Sequence, residues 1–403
     1  MIQAVEPACR QAECYFLENF QAKEVSDSLA HEFGKIIFWK DYNDGFQLLE
    51  KIKPDKLIFQ LIDNYYHFAL FFAARQITSI QIWYIDHGIR FEHELDNMDE
   101  SHPTTFISFL KRFAGGKILN FASYIKNGFF RKTKTKLPKF KRTDFQKVFN
   151  ARSVNTFGMF MRSCGHLLRP DGFIVYSQET FSFYKILFQL DLNFEKNHPV
   201  IYVGIPSLDH LYWVRDFEPQ ENANSFLLID QALHEQSILG WTEIKKIDFL
   251  VNLINNLHGH GMTLIIKPHP WNDNYYKKIR KTKNLNFDII YEINKDNIQN
   301  VAMVASFNST LLLAFCAGKF KVFCFELHPE PVTPEFSYGI CKYGVAQPLY
   351  NFIELNNLLK QNRIHTTTDF LSKQEKFISE VLYKFDDKSK SRLNEAILLN
   401  EFY

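Results

Sequence analysis

The spacing of apolar and polar positions divides this chain into alternating short strands and helix-length segments. In the first half, Ile36–Trp39, Lys56–Ile62, Ser79–Ile85, Gly172–Tyr176 and Val200–Val203 read as strands. Asn64–Arg75 and Gln178–Leu187 read as helices between them. The second half repeats the pattern more cleanly, with strands at Phe226–Ile229, Thr263–Ile266, Phe287–Tyr291, Val301–Ala305 and Lys321–Phe325. In Ile244–His258, residues Ile247, Leu250, Val251, Ile254 and Leu257 share one stripe at helical period. Ser309–Ala317 is a further helix, ended by Gly318. Leu371–Leu399 reads as one long polar-faced helix. Strands separated by helices imply parallel βαβ units, hence an α/β protein. The turn Val203-Gly204-Ile205-Pro206-Ser207-Leu208-Asp209 and the polar run Glu218–Asn224 place a boundary near residues 210–224. Two Rossmann-like domains are therefore expected, over residues 1–215 and 216–403.

Composition narrows this picture. A chain of 403 residues is long enough for two cores, and 46% hydrophobic with 23% charged residues is ordinary for a globular protein. A net charge of +2 argues against nucleic acid as a partner. The six cysteines are scattered without a Cys-x-x-Cys, which points to reduced thiols rather than a disulfide framework or zinc site. No apolar signal core follows Met1, and no apolar run reaches the ~18 residues of a membrane span, so a cytoplasmic location is expected.

One stretch departs from the rest. Between Glu100 and Asp144 there is no acidic residue. Lys111, Arg112, Lys117, Lys126, Arg131, Lys132, Lys134, Lys136, Lys139, Lys141 and Arg142 alternate there with Phe106, Phe109, Phe113, Phe121, Phe129 and Phe130. Basic and aromatic residues over 105–143 suit the surface of an anionic membrane, at the inner face of the cytoplasmic membrane. A helical insertion with one core face and one solvated face fits the same residues, as does an electropositive cleft for an anionic polymer.

Three places could carry chemistry. The run Leu264-Ile265-Ile266-Lys267-Pro268-His269-Pro270 ends a strand on a histidine between two prolines, which hold it in an extended loop. There His269 can donate to a phosphate oxygen, or simply pack and bond a carbonyl. Ser306-Phe307-Asn308-Ser309-Thr310 leads from a strand into a helix. Its hydroxyls and amides can cap that helix or bind a phosphate. Asp86-His87-Gly88 ends a first-half strand, where Gly88 permits a sharp turn and either Asp86 or His87 can act as a general base. No Asp-x-Asp, G-x-G-x-x-G, Walker loop or G-x-S-x-G is present, so a metal cradle, a dinucleotide site and a hydrolase elbow are not signalled.

Taken together, these motifs resemble bacterial GT-B glycosyltransferases of the sialyltransferase and polysialyltransferase kind. Those carry an acidic-x-Gly motif in the first domain, a His-Pro motif in the second and a Ser/Thr motif at the next helix start. The counterparts are Asp86-His87-Gly88, His269-Pro270, and Ser306 with Ser309-Thr310, and the likeness runs from Lys56 to Phe325. Leu227-Leu228-Ile229-Asp230-Gln231 looks like the start of the donor domain. His87 stands where a second acid is common, and Asn308-Ser309 where paired serines are. The His-Gly form and Val203-Gly204-Ile205-Pro206 are also similar to CDP-polyol phosphotransferases, and the motifs to CMP-Kdo transferases.

The resemblance implies a GT-B fold, two domains facing across a cleft. It implies an inverting, metal-independent transferase without cofactor, moving sialic acid or Kdo from a CMP-activated donor to a cell-surface glycan or glycolipid. Asp86 or His87 would be the base and His269 the group facing the leaving phosphate. Lys267, Pro270, Gln231, Ser306, Asn308, Ser309 and Thr310 would bind the donor. The alternatives are a CDP-polyol phosphotransferase and a non-catalytic glycan-binding relative.

Overall fold

The computed structural model of the chain describes residues 2–18, 33–60, 62, 64–86, 88–91, 94, 128–155, 157–236, 238–270, 273–330, 333–360 and 368–399. His87 and residues 105–127 of the basic segment lie outside the described residues. The chain forms two compact units, residues 1–206 with 388–403, and residues 207–387.

In the first unit, β1 (Tyr15–Glu18) and β2 (Lys35–Phe38) form a parallel pair. β3 (Lys56–Phe59), β4 (Gln81–Ile85), β5 (Gly172–Val175) and β6 (Val200–Tyr202) form a parallel sheet in that order. β5 is buried along its whole length, as expected of a strand covered on both faces. Against the sheet packs Tyr65–Ala74, started by Asn64, whose side chain accepts from the His67 amide at 3.1 Å. Nearly every residue of this helix is buried, so it shows no amphipathic stripe.

The 41 phenylalanines find their main use here. Phe68, Phe71, Phe145, Phe160, Phe173, Phe181 and Phe188 are fully buried. Phe72 meets Phe145 edge-on at 5.3 Å, and Phe173 meets Phe188 at 5.5 Å. Edge-to-face contacts fill such a core without opposing the ring quadrupoles. The basic segment contributes to it. Helices Phe129–Lys136 and Lys139–Val154 turn Phe129 and Phe145 inward and stack Phe130 on Phe145, leaving Phe140 66% exposed between Lys139 and Lys141. In its described half the segment is thus a pair of helices with a core face.

The second unit holds a six-stranded parallel sheet in the order β12-β11-β10-β7-β8-β9. Its strands are β7 (Ser225–Ile229), β8 (Thr263–Lys267), β9 (Asp288–Ile289), β10 (Val301–Ser306), β11 (Lys321–Phe325) and β12 (Gln347–Leu349). From β7 the chain first builds outward through β8 and β9. It then returns to the other side of β7 for β10, β11 and β12. The order therefore reverses between β7 and β10, and ligands of open α/β sheets bind at such a switch point.

Four sequence expectations need correction. The boundary falls after Pro206 rather than at 215/216, and the C-terminal helix Ser389–Leu398 joins the first unit instead of the second. Asn394 explains this. Its amide donates to the Ala4 carbonyl at 2.7 Å and its carbonyl accepts from the Ala8 amide at 2.7 Å, while Arg392 donates to the Val203 carbonyl at 2.9 Å. The single helix over 371–399 is broken by a π turn at Ile378–Leu382 and by Tyr383 at φ 65°. The buried stripe of Glu243–His258 is Lys246, Phe249, Leu250, Leu253 and Leu257, rotated from the expected one. Gly318 follows the end of Leu312–Cys316, as expected, without a left-handed φ; a Cβ there would lie 2.7 Å from the Val214 carbonyl oxygen, so it permits close approach.

Removing the Asn394 side chain strands the buried Ala8 amide and takes a donor from the half-buried Ala4 carbonyl. Asn394→Ala should lower the unfolding free energy by about 1–3 kcal/mol in a urea titration. Wild-type stability would mean that the C-terminal helix does not brace the first unit.

Candidate active site

The carboxyl ends of β10, β7 and β8 lie side by side in the second unit. On β10, Ser306 is fully buried and donates to the Ile229 carbonyl of β7 at 2.8 Å. Its hydroxyl is committed to the sheet, which corrects the expectation that it grips a phosphate. Gln231 follows β7 and forms a reciprocal pair with the backbone of Asn308. It accepts from the Asn308 amide at 3.0 Å and donates to the Asn308 carbonyl. One side chain thus closes the switch point where the two strands part. Gln231 shapes the 307–310 loop and has both amide atoms engaged in doing so.

Ser309 accepts from the Leu311 amide at 3.3 Å, and Thr310 is exposed. The following helix is shorter than expected, Leu312–Cys316, so Ser309 shapes a turn ahead of it. On the other side of β7, Lys267 ends β8 and donates back to the Pro268 carbonyl at 3.0 Å. Pro268 is buried, His269 half-buried and Pro270 exposed. The Asp230 amide donates to the Lys267 carbonyl at 2.9 Å, so the loop bearing His269 is tied to the turn bearing Gln231.

Charge lies beneath this edge. Lys246 and Asp230 are both buried and pair at 3.0 Å. The Tyr276 hydroxyl is pushed well above the usual phenol range, first by burial and then by the Asp230 charge. One strand over, His328 follows β11. Its Nδ1 accepts from the Trp241 indole at 3.1 Å, and burial lowers its pKa to about 4. It is a neutral ring with Glu326 3.7 Å from its Nε2. Sequence reasoning missed these residues. Glu326-Leu327-His328-Pro329 repeats the strand-to-His-Pro pattern of β8, and that repetition was the available signal. Lys246 gave none, because its partner lies sixteen residues earlier.

In the first unit, Asp86 sits directly after β4 and is fully buried. Oδ2 accepts from the Tyr176 amide at 2.7 Å, while Oδ1 is buried with no hydrogen-bond partner among the described residues. Burial pushes the carboxyl up to about 7, against the pull of the Tyr176 amide, the Tyr184 hydroxyl and Arg90. Arg90 itself pairs with Glu94 at 3.2 Å. Gly88 is not in a left-handed conformation, so the turn does not need it for φ. Among the described residues, no group of three or more His, Cys, Asp or Glu side chains is placed to hold a metal ion. Nor is any helix there long and apolar enough to cross a membrane.

The family model described as alpha-2,8-polysialyltransferase matches residues 40–319, a span containing Asp86, Gln231, His269 and the 306–310 loop. The chain belongs to the alpha-2,8-polysialyltransferase family. No curated protein matches it significantly. Among solved structures, Os79 from O. sativa, in complex with UDP and deoxynivalenol-3-glucoside, superposes with TM-score 0.51 at 10% identity, over 98% of this chain and 97% of that one. LpCGTa in complex with UDP gives TM-score 0.50 at 11% identity, over 98% and 94%. The fold of this polysialyltransferase-family chain is GT-B, as expected, and the chain is a glycosyltransferase.

The buried Asp86 gives the polysialyltransferase-family chain a pH signature. Its folded pKa of about 7 lies above the unfolded value of 3.8. Its contribution to stability is complete below pH 3.8, falls as pH rises, and is lost once pH passes about 7. In that window the wild type should lose stability relative to Asp86→Asn by up to ~1.4 kcal/mol per pH unit. Urea unfolding between those limits measures it. Parallel pH profiles for the two proteins would show that Asp86 is already ionised in mild acid.

Proposed function

We propose that this glycosyltransferase moves a sialyl residue from a CMP-activated donor to a hydroxyl of a glycan acceptor, by a single displacement with inversion and no metal. One observation carries the reading. In a polysialyltransferase-family chain, the half-buried His269 and the 307–310 loop flank the switch point of the second sheet, where Gln231 joins the strands. In this reading the CMP phosphate lies against that loop, near Ser309 and Thr310. His269 donates to the phosphate as charge grows on it, and backbone amides share the load.

Asp86 is the base. A carboxyl with pKa about 7 is matched to proton transfer near neutral pH. It takes the acceptor proton as the hydroxyl oxygen bonds the anomeric carbon, and the bond from that carbon to the phosphate oxygen breaks with its electron pair leaving on CMP. The donor sugar is tested by supplying CMP-sialic acid, CMP-Kdo and CDP-glycerol separately and following cytidine nucleotide release. CMP-sialic acid should be the substrate turned over, and His269→Ala should lower that turnover by about 10²–10³-fold while leaving the melting temperature unchanged. Near-normal turnover by a folded His269→Ala would sink the assignment.

The acceptor side of the reading includes an anionic surface. Near the start of its helix Phe140 is exposed with the Lys141 ammonium 5.5 Å from its ring centroid, an arrangement that lets the ring enter a headgroup layer beside a cation. The full chain should co-sediment with vesicles containing anionic lipid at low salt and release at high salt. Equal retention by neutral vesicles, or none by either, would remove the membrane from the reading.

A further inference from the structure

The donor edge of the second unit is built over a buried ion pair that the chemistry above does not use. Lys246 lies on the core stripe of Glu243–His258, where its neighbours are Phe249 and Leu250. Its ammonium sits 3.0 Å from Asp230 Oδ1 and 3.1 Å from Oδ2, and it also donates to the Gln231 carbonyl at 3.4 Å. Glu235 approaches at 3.8 Å, and the rings of Tyr275 and Tyr276 stand at 5.2 and 5.3 Å. Three segments therefore meet on one charge: the 243–258 helix, the turn after β7, and the helix Asp273–Lys283 that follows His269.

Stability alone does not account for this arrangement. Desolvating two charges consumes most of what their attraction returns, and an apolar pair of similar volume commonly serves a core as well or better. What the pair supplies is direction. Asp230 and Gln231 are consecutive. The Lys246 contacts hold both, Gln231 in turn holds the Asn308 loop from two sides, and the Asp230 amide holds the β8 end that leads into Pro268-His269-Pro270.

We propose that Lys246 is a positioning residue for the donor: through its buried pair with Asp230 it sets the relative placement of the Asn308 loop and the His269 loop. The proposal rests on the reading that the CMP donor binds at this switch point. A displacement of about 1 Å in such groups costs on the order of 10²-fold in function, so a pair that contributes little to folding can control binding.

The test separates folding from positioning. Lys246→Met alone takes the ammonium away from the buried Asp230 carboxylate, and the protein should melt earlier. Lys246→Met with Asp230→Leu replaces both charges by apolar groups of similar shape and should return the melting temperature to within a few degrees of wild type. CMP affinity, measured by calorimetry on the full chain, should remain about 10–100-fold weaker in the double variant, with donor KM raised more than kcat is lowered. A double variant that recovers both melting temperature and CMP affinity overturns the proposal, because the pair would then be structural only. If the double variant does not fold, Asp230→Asn is read the same way: it keeps the side-chain shape, and unchanged CMP affinity in that folded variant overturns the proposal. Gln231→Ala distinguishes the two levels. Wild-type CMP affinity in Gln231→Ala, or no CMP binding by the wild type, removes the donor from this edge and overturns both. Weakened CMP binding in Gln231→Ala beside an unaffected double variant removes only the role of Lys246.

Discussion

The second unit depends on how the chain manages the reversal of strand order between β7 and β10. Two parallel strands that hand their chains to opposite sides of a sheet leave backbone groups facing a gap at their carboxyl ends, and each unpaired group there carries a cost. Ser306 closes the gap within the sheet by donating to the β7 carbonyl at Ile229. Gln231 closes it just beyond, using both ends of its amide on Asn308. The loops of this edge are held by side chains doing the work of backbone.

Much of this was legible in the sequence. Apolar runs located β7, β8, β10 and β11 to within a residue or two, because strands covered on both faces read as unbroken apolar stretches. The strand ends then located the motifs, since a run that stops at polar residues marks the carboxyl edge. The same property hid the fate of Ser306. Alternation identifies the inward face only when one face is solvated, and a hydroxyl on a doubly covered strand turns inward unseen. The Lys246 pair was hidden for a different reason. The expected helix stripe ran through Ile247, Leu250, Val251, Ile254 and Leu257, and the observed one turns by about one position to seat a lysine whose partner belongs to another element.

The first unit shows the limits of local pattern in another way. Tyr65–Ala74 is buried on all sides, so its period carries no information about facing. Its packing is decided by aromatic shape, in edge-on contacts between rings distant in sequence. The C-terminal helix was misassigned because nothing in its own residues names its partner. Asn394 bonds to a segment nearly the whole chain length away. Long-range hydrogen bonds of single side chains settle such questions, and they leave no periodic trace.

Asp86 and Asp230 make an instructive pair. Each follows directly on a parallel strand and each is buried. Asp230 has an ammonium at 3.0 Å, a contact that compensates its charge and commits it to holding a turn. Asp86 has a backbone amide on one oxygen, while the nearby guanidinium of Arg90 is engaged with Glu94. Burial outweighs the pull of the Tyr176 amide, the Tyr184 hydroxyl and Arg90 and drives its carboxyl to about 7. A lysine packed against Asp86, as Lys246 is against Asp230, would pull its carboxyl back down. The same residue type at the same kind of position thus holds a turn in one unit and keeps a raised carboxyl pKa in the other, and a buried ammonium in direct contact is what separates them.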